Sequence, residues 1–156
     1  MLGARQYGDI FAHYVKAGSQ SCSQQLLEEL AHSEIDRIRL RVAENPGTPL
    51  DILELLASDK NPDVRVAVAT NPSTPPYISY RVAFDEDPSV RLGLADDVNT
   101  PIELLVKLME DENPYVSYRA AQTKDIVLSQ GKPRSFGKRL LRWIKKGMDE
   151  PELRFA

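Results

Sequence analysis

The segment LASDKNPDVRVAVATNPSTP, residues 56–75, is one copy of a pattern that recurs along the chain every 26 residues. Its landmarks are a Thr-Pro pair, a proline that opens a helix, and an Asn-Pro pair that ends one. The Thr-Pro pairs stand at Thr48-Pro49, Thr74-Pro75 and Thr100-Pro101, and the helix-opening prolines at Pro62, Pro88 and Pro114. Because a fixed period of a few tens of residues is typical of repeat proteins, the chain is predicted to be an array of repeats.

Each repeat is predicted to contain two helices. The first helix of one copy starts at Thr48 as N-cap, with Pro49 at the first helical position, where its missing N–H has no cost. The second helix starts near Pro62 and ends at Asn71, since a proline follows and disfavours helical geometry in the residue before it. The apolar runs are short and proline is frequent, so some helices are expected to have 3₁₀ geometry.

A single two-helix unit cannot bury its own apolar face, whereas stacked units can. The sequence therefore predicts an all-α fold, an α-solenoid of about four repeats, over residues 26–123. Residues 1–25 are predicted to supply a short capping helix, roughly Tyr7 to Lys16, which breaks at Gly18. Residues 124–156 are predicted to form a basic amphipathic helix and tail.

The pattern L-A-x-D-x-x-P-x-V-R-x-x-V-A-x-N-P-x-T-P resembles the leucine-rich repeat variant family, a bacterial relative of HEAT-like arrays. It is carried here by Leu56, Ala57, Asp59, Pro62, Val64, Arg65, Val68, Ala69, Asn71, Pro72, Thr74 and Pro75. The resemblance covers about 98 of 156 residues and implies a right-handed superhelix of alternating α and 3₁₀ helices. Some members of the family carry an iron–sulfur module bound by clustered cysteines. This chain has a single cysteine, Cys22, so that module is expected to be absent.

Composition and motifs argue against several functional classes. One cysteine permits no disulfide within the chain, and no secretory or membrane-spanning segment is evident, so a cytoplasmic protein is expected. His13 and His32 have no nucleophile at motif spacing, and no G-x-S-x-G, P-loop, H-E-x-x-H or calcium-loop pattern occurs. The chain is therefore predicted to be no enzyme, and to hold no cofactor and no metal.

Arg39, Arg65 and Arg91 occupy one repeat position. Asp59 precedes Arg65 by six residues, and Asp85 precedes Arg91 by the same interval. This spacing resembles the Asp–Arg ladder of HEAT-type repeats and predicts Asp59–Arg65 and Asp85–Arg91 pairs that join adjacent units. The alternative is a row of arginines that binds phosphates or carboxylates.

Other arginines and tyrosines are candidates for contact with a partner. The candidate arginines lie outside the ladder position, and the candidate tyrosines have no aromatic equivalent in the other repeats. Tyr118 falls at a position that other repeats fill with Leu or Val, so it is assigned to the edge of the core. The predicted partner-contacting residues of the array are Arg37, Arg41, Tyr77, Tyr115 and Arg119.

The C-terminal tail has the opposite charge to the body. Residues 1–131 have a net charge of −8 and residues 132–156 a net charge of +5. If the tail is helical from about Phe136, it has one apolar face, and its basic residues fill most of the remainder. It either caps the last repeat or presents its basic face to a partner. The candidate contact residues here are Lys138, Arg139, Arg142, Trp143, Lys145 and Lys146.

Together these features predict a protein–protein interaction scaffold or adaptor that uses the surface of its repeats, an inference by analogy with other arrays. A nucleic-acid-binding protein, using its arginines and the basic tail, is the first alternative, and the acidic body argues against it. Peripheral contact of the tail with a membrane surface is a further possibility. A helper enzyme of the lyase or chaperone type on a HEAT-like array is the remaining alternative.

Overall fold

The computed structural model describes residues 4–131 and 134–137, and every regular element within them is an α-helix. The prediction of an all-α fold is confirmed. The helices are α1 (Ala4–Ala17), α2 (Gln24–Ala31), α3 (Asp36–Glu44), α4 (Leu50–Leu56), α5 (Pro62–Thr70), α6 (Pro76–Ala83), α7 (Pro88–Asp96), α8 (Ile102–Leu108) and α9 (Pro114–Ser129).

The helices recur with the period of the sequence. The even-numbered helices α2, α4, α6 and α8 begin 26 residues apart, and so do the odd-numbered helices α3, α5, α7 and α9. Along the odd-numbered series, α1 packs on α3, α3 on α5, α5 on α7 and α7 on α9. The odd-numbered helices therefore form a continuous row, in which each helix touches its counterpart in the next repeat.

The core is built from the same repeat positions in every unit. Ile38, Val64, Val90 and Val116 are equivalent residues on the odd-numbered helices, and each is buried. Burial of such a side chain contributes about 1.5–3 kcal/mol relative to exposure. Because each unit adds the same buried set, the apolar core runs through the whole series of helices.

The Thr-Pro pairs do not cap helices in the way that the sequence predicted. The N-cap of α4 is Pro49, and Thr48 lies one residue outside. The buried Thr48 hydroxyl instead donates to the carbonyl of Val42 at 2.6 Å, near the end of the preceding helix. A buried hydroxyl needs an acceptor, and the Val42 carbonyl, which also accepts from Asn45 N at 3.1 Å, supplies one.

The 3₁₀ helices suggested by the sequence do not occur in residues 4–131 and 134–137. Hydrogen bonds over three residues are found at helix ends and turns, as from Thr48 N to Asn45 O at 3.1 Å. Helices of seven residues or more are long enough for the four-residue bonds of an α-helix, such as Leu53 N to Pro49 O at 3.0 Å. The short apolar runs therefore limit helix length without changing helix type.

The Asp–Arg ladder has a different pairing from the predicted one. Arg65 Nε donates to Asp85 Oδ2 at 2.7 Å, and the carbonyl of Asp59 accepts from Arg65 Nη1 at 2.6 Å. The predicted Asp59–Arg65 and Asp85–Arg91 side-chain pairs are therefore wrong. Each arginine reaches forward to the turn of the next unit, where the aspartate twenty residues later accepts its guanidinium. The pairs are Arg39–Asp59, Arg65–Asp85 and Arg91–Asp111, each 2.7 Å from Nε to Oδ2.

The two ends of the described residues are formed by α1 and by the segment 134–137. Helix α1 is longer than predicted and ends at Ala17, directly before Gly18. A Cβ atom at Gly18 would lie 2.2 Å from Arg41 Nη2, so glycine is needed for the guanidinium to pack there. Beyond α9, the described residues 134–137 lie against α8 and α6, with the Phe136 ring 6.1 Å from the ring of Tyr80.

Candidate interaction surface

Three hollows lie along the exposed side of the odd-numbered helices. The first, between α1 and α3, has a volume of about 630 Å³. The second crosses α3, α5 and α7 with about 620 Å³, and the third lies between α7 and α9 with about 690 Å³. Leu40 lines the first and second hollows, and Gly93 lines the second and third. The three hollows are therefore adjacent and form a row that crosses all five odd-numbered helices; we refer to this row as the groove.

Small residues form the floor in the middle of this groove. One repeat position is Arg41 in α3, Ala67 in α5, Gly93 in α7 and Arg119 in α9. A Cβ atom at Gly93 would lie 2.9 Å from a methyl group of Val66, which shows how closely α5 and α7 approach. Large side chains at the two ends and small ones between them produce a depression along the row.

The first hollow is mainly apolar. Ile10 and Phe11 of α1 line it, together with Tyr14, and Phe11 is 68% exposed. Arg37, a predicted contact residue, is exposed at its edge. An exposed phenylalanine beside apolar neighbours favours the binding of a second molecule, because binding removes this apolar surface from water.

Arg41 is less available than the sequence suggested. It is half-buried, its guanidinium carbon lies 5.1 Å from the Tyr14 ring centre, and its Nη1 donates to Glu44 at 2.7 Å. The absence of a side chain at Gly18 makes room for this packing. Arg41 is therefore held by contacts within the protein instead of presenting an exposed charge.

The second hollow has an acidic lining. Its carboxylates are Glu44, Asp63 and Asp97, and among the described residues the cation that lines it is Arg134, from the segment after α9. Of these, Asp97 stands where two other repeats have asparagine. The middle of the groove is thus suited to a positively charged group.

The third hollow presents two tyrosines. Tyr115 is 77% exposed and Tyr118 66% exposed, and Leu92 beside them is exposed as well. The exposed position of Tyr115 agrees with the sequence analysis, whereas the assignment of Tyr118 to the core edge is wrong. The repeat position of Tyr118 faces outward from the row, as the exposure of its equivalent Leu92 shows. Arg119 borders the hollow and is paired with Asp96.

Tyr77 lies apart from this groove. It is half-buried on α6, an even-numbered helix, and its hydroxyl donates to Glu54. The structure therefore brings together Arg37, Tyr115 and Arg119 on one side of the molecule but leaves Tyr77 on another. The tail candidates Lys138, Arg139, Arg142, Trp143, Lys145 and Lys146 lie outside the described residues.

Sequence reasoning missed the residues that define the groove. Phe11, Tyr14, Leu92 and Tyr118 look like core residues in a helical pattern, and only the packing shows that they are uncovered. A usable signal was the change from asparagine to aspartate at Asp97. Such a departure from the repeat pattern indicates a unit whose contacts differ from those of the other units.

Comparison with protein-family models, with curated protein sequences and with solved structures gave no match to this chain. Within residues 4–131 and 134–137, no group of three His, Cys, Asp or Glu side chains has a metal-binding arrangement. No helix in the same residues is long and apolar enough to cross a membrane. The interpretation of the groove therefore depends on its own geometry and chemistry.

Proposed function

We propose that the chain is a right-handed α-solenoid of the leucine-rich repeat variant type and serves as a non-catalytic scaffold that binds a segment of another protein in the groove. The 26-residue period of the helices and the stepwise packing of α3, α5, α7 and α9 support the solenoid. Solenoid proteins use extended surfaces of this kind for binding.

The observation that carries the proposal is the continuity of the groove and the exposure of its aromatic ends. Tyrosine is enriched in protein interfaces because it buries a large area with little loss of side-chain entropy. Tyr115 and Tyr118 are both exposed at one end, and Phe11 is exposed at the other. A partner that covers both ends gains apolar contact without any rearrangement of the core.

The dimensions of the groove suit a short peptide segment. Packed helices lie about 8–10 Å apart, so a row of five helices spans roughly 35–40 Å. An extended chain covers about 3.3 Å per residue, so roughly 11 residues reach from the Phe11 end to the Tyr115 end. Such a segment contacts every repeat in turn.

The charge distribution favours protein over nucleic acid as the partner. Two arginines beside the groove are engaged in ion pairs, Arg41 with Glu44 and Arg119 with Asp96. The middle hollow is lined by carboxylates, and residues 1–131 have a net charge of −8. Binding of nucleic-acid phosphates needs protein cations that displace the counterions of the nucleic acid, and the middle of this groove presents mainly carboxylates.

Affinity capture with variants of the tyrosine end tests this function. The bait proteins are the wild type, the double variant Y115S/Y118S, and the control L55S, which changes an exposed leucine on α4. Exposed substitutions of this kind alter stability by about 0.5 kcal/mol or less, so all three proteins should fold. We expect the wild type and L55S to retain the same partner from the host lysate and Y115S/Y118S to lose it. Equal recovery by all three baits would reject the groove as the binding surface.

A further inference from the structure

The Asn-Pro asparagines form buried links between successive units. Asn71 Nδ2 donates to the carbonyls of Ala43 and Asn45, at 2.6 and 2.9 Å. In the preceding unit, Asn45 Nδ2 donates in the same way to the carbonyls of Ala17 and Ser19, at 2.7 and 2.8 Å. Each asparagine thus satisfies two backbone acceptors of the unit before it.

The third copy of this link is missing its donor. Asp97 occupies the asparagine position, and an ionised carboxylate has no hydrogen to donate. The two carbonyls that need a donor are those of Ala69 and Asn71, and two other side chains serve them. Ser79 Oγ donates to Ala69 O at 2.9 Å, and Arg134 Nη2 donates to Asn71 O at 2.7 Å.

The Ser79 substitution belongs to the same local change. Its repeat position holds a buried leucine in the other units, at Leu27, Leu53 and Leu105. A serine there replaces an apolar contact with one hydroxyl donor, which serves the first carbonyl. The second carbonyl remains available to a donor that enters from the groove, and in this structure that donor is Arg134.

Arg134 is held by its planar guanidinium. Nη1 donates to the carbonyls of Thr70 and Asn99, and Nη2 donates to that of Asn71. Two of these acceptors lie at the C-terminal end of α5, where the helix dipole favours a cation. The Asp97 carboxylate lines the same hollow. Three carbonyls in different directions match the several donors of an arginine, whereas a lysine offers one compact charge.

We propose that the second hollow is a guanidinium-recognition site, which Arg134 occupies in the free protein and an arginine of the bound partner segment occupies in the complex. This inference rests on the proposed function, because the partner lies in the same groove. The partner is therefore a peptide segment with a central arginine and with apolar residues on both sides, which contact the Phe11 and Tyr115 ends. Arg134 acts as an internal competitor for its place.

The attachment of residues 134–137 is consistent with such an exchange. Apart from the guanidinium, Arg134 contributes its carbonyl, which accepts from Ile102 N at 2.8 Å. Phe136 N donates to Glu103 Oε2 at 3.2 Å, and the Phe136 ring packs near Tyr80. These contacts are to α8 and α6, outside the groove, so the guanidinium can leave the hollow without loss of the Phe136 anchor.

The first experiment measures the site with a small probe. Full-length wild type and R134A are titrated with N-acetyl-arginine amide, and backbone amide shifts are followed by NMR. We expect saturable shifts of the amides of Thr70, Asn71, Gly93 and Asn99 in R134A, and binding about tenfold weaker in the wild type because Arg134 must first leave. N-acetyl-lysine amide is the matched control. Failure of R134A to saturate, or an equal response to the lysine probe, would overturn the proposal.

A second variant keeps the test valid if R134A folds poorly. In D97N an amide can donate to the Asn71 carbonyl, as Asn71 donates to the Asn45 carbonyl and Asn45 to the Ser19 carbonyl. We expect D97N to bind the arginine probe no more tightly than the wild type does. We expect the double variant R134A/D97N to show no saturable binding of the probe. Saturable binding of the arginine probe to R134A/D97N would contradict the role of the missing donor.

The third arm tests the exchange itself, using the capture experiment described above. We expect R134A to recover more of the partner than the wild type does, since the internal competitor is absent. Equal recovery would overturn the exchange. If the probe binds saturably but Y115S/Y118S captures the partner as well as the wild type does, the proposed function is rejected and the guanidinium site stands. The two failures are therefore distinguishable.

Discussion

Arg65 and Asp85 connect two adjacent repeats through a two-point contact in which Nε and Nη2 of the arginine donate to the two carboxylate oxygens, at 2.7 and 3.1 Å. The side chains are 13% and 16% exposed, so both charges are largely removed from water. Arg65 Nη1 also donates to the carbonyl of Asp59, at 2.6 Å. One side chain on α5 therefore links two turns, the one before α5 and the one before α7, and resists their separation.

Replacement of Arg65 by alanine should destabilise the protein. The change leaves the Asp85 carboxylate and the Asp59 carbonyl without their donor in a half-buried place, and we expect a loss of about 1–3 kcal/mol in the free energy of unfolding. Urea denaturation followed by circular dichroism measures it. The control is R81A, because Arg81 is exposed on α6. Equal midpoints for R65A and R81A would show that the ladder contributes nothing to stability.

The stability of the ladder should also depend on pH. Burial opposes ionisation of the Asp59 carboxyl, but the hydrogen bonds from Arg39 and from the backbone N–H of Asn61, together with the charge of Arg39, outweigh this. The pKa of Asp59 therefore lies below its ordinary value. A carboxyl whose pKa is lower in the folded state than in the unfolded state stabilises the fold above the unfolded pKa. That contribution is lost as the pH falls through the folded pKa.

We therefore expect the unfolding free energy to decrease between about pH 5 and pH 2, and to decrease less in D59N. Urea denaturation over this range measures the slope. D51N is the control, since Asp51 is exposed on α4. If D59N and the wild type lost stability in parallel, the acid sensitivity would have to come from other carboxyls.

The repeats can be recognised in the sequence because their spacing is regular. The contacts that each residue makes are harder to predict from the sequence. The period locates Asp59 and Asp85 in equivalent turns, yet a linear spacing of six residues suggested that Arg65 pairs with Asp59. Contact with Asp85 exists because the next unit packs beside Arg65, and this depends on the stacking of helices. Arg134 is harder still, since 63 residues separate it from Asn71.

The exposed side of the array was also misjudged in part. Tyr118 shares its repeat position with Leu40 and Leu92, and a hydrophobic residue at helical spacing normally indicates a core position. Here the position lines a groove, so Leu92 and Tyr118 are exposed, whereas Leu40 is partly buried against the core. Sequence patterns identify which residues share a face, whereas only the packing shows whether another element covers that face.

Replacement of Asn71 by aspartate should be strongly destabilising. The substitution removes the donors to the Ala43 and Asn45 carbonyls and places a carboxylate at a position where Asn71 is buried. We expect a loss of about 3 kcal/mol or more. N113D is the matched control, because the Asn113 side chain only accepts, from Tyr115 N, and aspartate caps helices equally well. Similar thermal midpoints for N71D and N113D would disprove a structural role for the Asn71 amide.

The close approach of α5 and α7 predicts coupling between Gly93 and Val66. In an ordinary helix, replacement of glycine by alanine stabilises by about 1 kcal/mol. At Gly93 the new Cβ would lie 2.9 Å from Val66 Cγ2, closer than side chains normally pack. We therefore expect G93A alone to leave the free energy of unfolding unchanged or to lower it. In a V66A background, where the obstructing methyl groups are absent, we expect G93A to raise the free energy of unfolding. A double-mutant cycle from urea denaturation isolates the interaction. Additive effects of the two substitutions would mean that α5 and α7 lie farther apart than the groove geometry requires.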